Sequence, residues 1–294
     1  MQSKFDEQFT AYIDLLGFTD AVSNEEESNI AKINGLLTQI SQMRSKFAVK
    51  SVGSQNIKTI SIKPMITTFS DHIVISYPVE RSCKAMGDTK STLITLVRQV
   101  THFTAQIAGD ALRIGLLVRG GATIGNLYHT SRVIFGKALI EAHYIESTVS
   151  NFPRVVLSPE ITSQLTHSDI QGLGLLSDDY GWYHVDYFKR LAKMGSIFAD
   201  DKRGNREAWV EQVERTVGEN LAEFDKRIKK LASRNLTTLE EQIESVKKAE
   251  NLAKAKAKWA WFGNEFCGGV ERSKSQPPRA SGYATDFGYS PRLK

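Results

Sequence analysis

Two cysteines in 294 residues, Cys83 and Cys267, stand far apart among polar or glycine-rich neighbours, with no CxxC and no histidine at ligand spacing. That sets aside a disulfide framework and a zinc ribbon. No stretch approaches the roughly 18 to 20 consecutive apolar residues needed to cross a bilayer. The opening MQSKFDEQF also lacks the basic-then-apolar order of a secretory signal. The expectation is a cytoplasmic protein without direct membrane contact. Internal repeats and heptad arrays are missing too, which excludes solenoids and coiled coils.

What is present suffices for a core. The chain is 41% hydrophobic and 24% charged, which suits one sizeable domain with an appendage, or two small domains. The net charge of +5 comes largely from the back half, including KRIKKLASR and KKAENLAKAKAK. Basic helices of this kind are more often solvated faces than nucleic-acid contacts, so no direct nucleic-acid partner is expected.

Residues Phe9 to Leu16 read as a strand, and GFTD turns the chain into a helix with Ile30, Ile33, Leu36, Leu37, Ile40 and Met43 at three- and four-residue spacing. KTISIK and the run from Met65 to Ser76 are β-rich, the second reading as a hairpin arm about Asp71. A helix follows from about Thr89 to Ala108, then the glycine-studded strand LRIGLLVRGGATIGNLY. Glycines inside a strand mark a bulge or a close approach of another backbone or a ligand. RVIFGKALIEAHYIES, PRVVLSPEITSQL and GWYHVDYF complete an α+β order, expected as a sheet with helices on one face. From about Arg206 two helical patterns joined by ASRNL predict a helical hairpin whose apolar positions Trp209, Val213, Val217, Leu221, Phe224 and Ile228 need a cover. The expected division is a domain over 1–200, the hairpin over 201–262 and an extended Gly/Pro/Ser-rich tail over 263–294.

Two carboxylates sit where an all-apolar strand would serve structure better: Asp14 in AYIDLLGFTD and Asp71 in ITTFSDHIVIS. A buried, unpaired carboxylate protonates, finds a cation or lies at a mouth that solvent or metal can reach. Two in like settings point to one shared cation site. Beyond Asp14, the amides of Gly17, Phe18 and Thr19 begin a helix, where they lack intrahelical partners and favour an anion. A carboxylate for a cation beside amides for an anion is a metal and phosphate arrangement. His72 is expected to point to the opposite face from Asp71, and both it and His143 read as structural.

The series YIDLLGFTDAV, FSDHIVIS, LRIGLLVRGGATIG and FGKALIEAHYIES resembles the class III nucleotidyl cyclase catalytic domain over roughly residues 8–160. The resemblance implies a ferredoxin-like sheet with helices packed on it. It also implies two Mg2+ or Mn2+ ions held by Asp14, Asp71 and the Leu15 carbonyl. Purine cyclases of this class place a Lys four residues before the second Asp and an Asp or Cys before the FG-like dipeptide; here those positions are Thr67 and Val133. Their transition-state Asn and Arg fall on Ile140 and Tyr144, which leaves Arg119 and Lys137 as the available cations for phosphate charge.

Metal residues kept and purine readers lost is a combination similar to the pyrimidine cyclases of the bacterial Pycsar anti-phage system. That likeness implies cyclisation of UTP, or alternatively CTP, by a homodimer with composite sites, its cyclic product acting on a separate effector. Base-reading residues are not identified; the region from Phe47 to Ile62 is a candidate. Two further readings stand beside it: a purine cyclase with unusual base contacts, and a catalytically silent cyclase-like module that binds a nucleotide or a partner.

Overall fold

The computed structural model describes residues 5–23, 26–45, 48–51, 60–193, 206–234 and 238–274. Strand β1 (Asp6–Leu16) leads through a short helix α1 (Phe18–Ser23) into α2 (Glu27–Gln42). A small ribbon, β2 (Val49–Ser51) with β3 (Ile60–Ile62), precedes the hairpin β4 (Met65–Phe69) and β5 (His72–Pro78). Helices α3 (Val79–Met86) and α4 (Thr89–Leu112) lead to the long strand β6 (Leu117–His129). The α4 start is capped: the Asp88 side chain accepts from the Ser91 amide.

Strands β1, β4, β5 and β6 lie in the order β4-β5-β1-β6, every neighbouring pair antiparallel. With α2 and α4 as the two connecting helices, this is the β-α-β-β-α-β arrangement of a ferredoxin-like sheet. After β7 (Ile134–Phe135), α5 (Lys137–Tyr144) and a π-helical turn (Ile145–Val149), β8 (Val155–Leu157) extends the sheet by pairing in parallel with β6. Short helices α6 (Pro159–Thr162) and α7 (His167–Leu173) precede β9 (Leu176–Ser177) and β10 (Tyr183–His184), which complete it.

The two faces of the sheet differ. Phe9, Ala11, Ile13 and Leu15 of β1 are buried in the main core together with Leu93, Leu96, Val97, Val100 and Phe103 of α4. On the other face, Tyr12 and Val74 form a small apolar cluster with Ala142 of α5. The expectation of helices on one face is therefore corrected: α5 covers part of the second. Gly121 is the reason, because a Cβ there would stand 2.4 Å from the Ala142 carbonyl and 2.9 Å from the Glu146 amide. The glycine lets that helix lie directly on the strand.

Helix α8 (Tyr187–Lys193) receives the C-terminal hairpin, α9 (Arg206–Ala232) and α10 (Leu239–Lys274). Its cover is this same chain: the Trp209 indole donates to the Leu191 carbonyl at 3.1 Å, and Phe262 lies 5.6 Å from Phe188, centroid to centroid. Arg272 holds Asp186 through two nitrogens, at 2.6 and 3.1 Å. The helix thus runs well past position 263, where the sequence suggests an extended tail. Its glycines serve contact: a Cβ on Gly269 would come within 2.7 Å of Phe188. The rest of the expected tail, 275–294, lies outside the described residues. No helix among the described residues is long and apolar enough to cross a membrane.

Candidate active site

Strand β1 sits between β5 and β6, and its register sets the site. Asp14 faces His72 on one side and Arg119 on the other. Cross-strand partners share a face, so Asp14, His72 and Arg119 all project from the face that α5 covers in part. Phe69 pairs with His72, which leaves Ser70 and Asp71 as a two-residue turn, with Ser70 at a φ of 53°. Asp71 therefore belongs to the turn rather than to a hairpin arm, a correction that explains why its carboxylate costs little: a quarter of it is open to solvent. The Leu15 amide donates to the Asp71 carbonyl at 3.0 Å and pins this turn beside the end of β1. A strand residue directs its amide and carbonyl to the same neighbour, so the Leu15 carbonyl also faces the turn.

The convergence is close. One ligand atom each from Asp14, Asp71 and His72 lie within 4.8 Å of one another. His72 Nδ1 is 3.0 Å from Asp71 Oδ1, at an angle that makes no hydrogen bond, and Nε2 is 3.9 Å from Asp14 Oδ1. The expectation that His72 points away from Asp71 is overturned, because strand alternation does not apply across a turn. Two carboxylates and an imidazole form a donor set that fits a divalent ion.

Behind this cluster lies a second charged layer. The Arg119 Nε is 3.0 Å from Asp14 Oδ2 and 2.6 Å from Glu146 Oε1. Glu146, on the π-helical turn, is brought there by the close approach at Gly121. Burial pushes its carboxyl up to about 7, against the pull of Arg119. Lys258 of α10 faces the same group; burial and Arg119 hold its ammonium below the usual lysine range, against the attraction of Asp14 and Glu146. Tyr12 stands among these groups, its ring 5.2 Å from His72 and 5.1 Å from His143. Its hydroxyl is raised well above the usual range, first by burial and then by Glu146, Asp14 and Asp71.

Asp14, Leu15, Gly17, Phe18, Thr19 and Asp71 line one cleft of about 760 Å³. Of the residues expected at the site, Arg119 lies behind Asp14, already engaged by carboxylates. Lys137 is exposed at the start of α5 and does not line the cleft. Most of the region from Phe47 to Ile62 lies outside the described residues.

Sequence reasoning missed His72, Glu146 and Lys258. The first had a signal: Ser-Asp within FSDH is good turn chemistry, and placing the turn there brings His72 opposite Asp14. For Glu146 and Lys258 no local signal exists, since both arrive by tertiary packing.

The sequence matches no protein-family model and no curated protein. Among solved structures, the adenylyl cyclase CyaB from P. aeruginosa is similar over 63% of this chain and 96% of its own, at 14% identity and a TM-score of 0.44. A bacterial light-regulated adenylyl cyclase is similar over 56% of this chain and 47% of its own, at 14% identity and a TM-score of 0.34. A class III adenylyl cyclase-like ATP-binding protein from Pseudomonas aeruginosa is similar over 62% of this chain and 39% of its own, at 14% identity and a TM-score of 0.39. The chain thus spans about half or less of the last two.

Proposed function

We propose that the chain is a class III nucleotidyl cyclase that converts UTP to 3′,5′-cyclic UMP and pyrophosphate, a second messenger in anti-phage defence that acts on a separate effector. The observation that carries the reading is the meeting of Asp14 and Asp71, 57 positions apart in sequence, with their donor atoms and that of His72 within 4.8 Å at the mouth of a cleft.

Asp14, Asp71 and the Leu15 carbonyl would hold two divalent ions, with His72 as an added donor. Bound there, such ions supply acidity to the ribose 3′ hydroxyl and neutralise triphosphate charge. The bond from O3′ to the α-phosphorus forms, the bond from that phosphorus to the pyrophosphate oxygen breaks, and the hydroxyl proton passes to water. The chain's part is to position: Arg119 and Glu146 hold the Asp14 carboxylate toward the cleft, and the amides of Gly17, Phe18 and Thr19 border the polyphosphate. No side-chain base is required.

The pyrimidine choice is supported by Thr67, whose hydroxyl lies 2.8 Å from His129 Nε2 and so serves the sheet rather than a purine edge. CTP is the alternative substrate on the same grounds. A homodimer is supported by apolar residues left open on and beside α5: Phe135 is 52% exposed, Ile140 71% and Tyr144 56%. Lys137, exposed beside them, would meet phosphate only in such a dimer. A second reading, the silent nucleotide-binding module, is favoured by the Arg119 contact, which occupies one oxygen of Asp14.

The test is incubation of the protein with Mn2+ and each of the four ribonucleoside triphosphates, reading pyrophosphate and cyclic product. Product from UTP alone supports the proposal and product from CTP alone moves it to the cytidylate alternative. Product from ATP or GTP overturns the pyrimidine choice, and none from any triphosphate favours the silent module.

A further inference from the structure

The C-terminal hairpin does more than pack. Its root is buried: Trp209, Val213, Phe262 and Phe266 belong to the main core. Its far end, the last turns of α9 and the first turns of α10, carries the exposed Leu239, Ile243 and Val246 and also borders the cleft that holds Asp14 and Asp71. The residues it presents there are Arg227, Lys230 and Arg234 from α9 and the loop after it, with Lys248 from α10.

Their spacing is not that of a generally solvated basic helix. Arg227 and Lys230 share one face of α9 by their three-residue spacing, and Arg234, just past the end of that helix, lines the same cleft. Lys226, off that face, is 80% exposed and pairs with Glu223. Facing the four cations across the cleft are Asp14, Asp71 and Asp20. Among the described residues one ion pair bridges the two walls, Arg227 to Asp20 at 3.5 Å. Lys248 pairs with Glu244 on its own helix, Arg234 adds to the pull on that same carboxyl, and Lys230 forms no ion pair among the described residues.

An acidic floor and a basic roof held apart by about 760 Å³ of cleft form an unusual arrangement. The opening is of the size that holds a nucleotide-sized ligand. Alternating charge resolves the geometry: carboxylate, divalent ion, phosphate oxygens, then ammonium or guanidinium.

We infer that the hairpin is the roof of a polyphosphate site, with Lys230 and Arg234 as its principal phosphate-binding cations and Arg227 and Lys248 as their support. This rests on the metal-holding role proposed for Asp14 and Asp71, and it extends the site to a part of the chain outside the ferredoxin-like sheet. The class of ligand is a metal-chelated chain of phosphates, whatever base or sugar it carries. Solvent screens cations this exposed, so each contributes moderately and the effect is carried by several together.

The test is calorimetric titration of the full chain with inorganic tripolyphosphate in the presence of Mn2+. The doubly substituted Lys230→Ala, Arg234→Ala protein is expected to bind it about tenfold or more weakly. Lys226→Ala, on the same helix but off the roof, is expected to bind as the unsubstituted protein does, and thermal melting checks that both variants are folded. Equal affinity of the folded double variant and the unsubstituted protein overturns the inference, as does failure of the unsubstituted protein to bind tripolyphosphate. The outcome separates from that of the cyclase reading. Product from UTP with unaltered tripolyphosphate binding in the double variant sinks the roof and keeps the enzyme. Weakened binding with no product from any triphosphate keeps the roof and sinks the enzyme.

Discussion

The two faces of β1 follow opposite rules. Phe9, Ala11, Ile13 and Leu15 are sealed against α4 and hold the sheet to its helices. Thr10, Tyr12 and Asp14 alternate with them, equally shielded from solvent, yet carry hydroxyls and a carboxylate. Burying charge is costly unless it is paired, and the charges of the second face are paired, Asp14 with Arg119 and Arg119 with Glu146, while the Thr10 hydroxyl has no hydrogen-bond partner among the described residues. One face spends its residues on stability and the other on a defined arrangement of charge.

The sharpest way to break this contrast is at the turn. Asp71→Ala is expected to lower the proposed cyclase activity on the order of a thousandfold or more, since metal ions supply several kcal/mol of charge stabilisation, while leaving the melting temperature nearly unchanged. Asp14→Ala is expected to lose activity as well, but also to destabilise the fold, because it removes one of the two carboxylates that Arg119 holds. Steady-state rates with Mn2+ alongside melting curves separate the two. Retained production of cyclic nucleotide by Asp71→Ala would defeat the metal assignment.

On the apolar face the expectation reverses. Ile13→Ala, at a fully buried position, is expected to cost about 2–5 kcal/mol by cavity formation with activity per folded molecule preserved, measured by denaturant unfolding. A smaller effect couples the faces. Gly121→Ala puts a methyl against the Ala142 carbonyl and is expected to cost about 1–3 kcal/mol by overpacking, with activity lowered as Glu146 moves from Arg119. Gly35→Ala, on the exposed side of α2 with nothing within 4 Å of a new Cβ, is the control and is expected to stabilise by roughly 0.5–1 kcal/mol.

A separate effect is in pH. Burial pushes His102, His129 and His184 down to about 4, with help from Arg190 and Arg98, from Arg44, and from Arg154 respectively. Unfolded, each titrates near 6.5. Between those values the unfolded chain binds more protons, so stability is complete above pH 6.5 and is lost as pH falls toward 4. Each histidine contributes up to about 1.4 kcal/mol per pH unit in that window. His129, whose ring lies 2.8 Å from both Thr67 and Ser76, is expected to account for part of the slope, and His129→Gln should flatten an unfolding series taken from pH 7 to pH 4.5.

Much of the frame is legible without coordinates. The alternation of β1, the stripe on α4 and the helical period from Trp209 onward are local patterns, and each element forms where its pattern lies. What misleads is punctuation. FSDH reads as part of a strand because its flanks are apolar, although Ser and Asp are turn residues; GGVERSKS reads as tail because of its glycines, although Gly269 is there to let α10 touch Phe188.

The sequence by itself determined that two carboxylates would stand among apolar runs and that a basic helical pair would follow the sheet, because periodicity and residue chemistry act within a few residues. Only the tertiary structure decided that His72 joins the carboxylates, that Glu146 and Lys258 stand behind Asp14, and that the basic helices lie across the cleft. Those placements depend on strand register and on close approach over more than a hundred residues of chain, which no local pattern encodes.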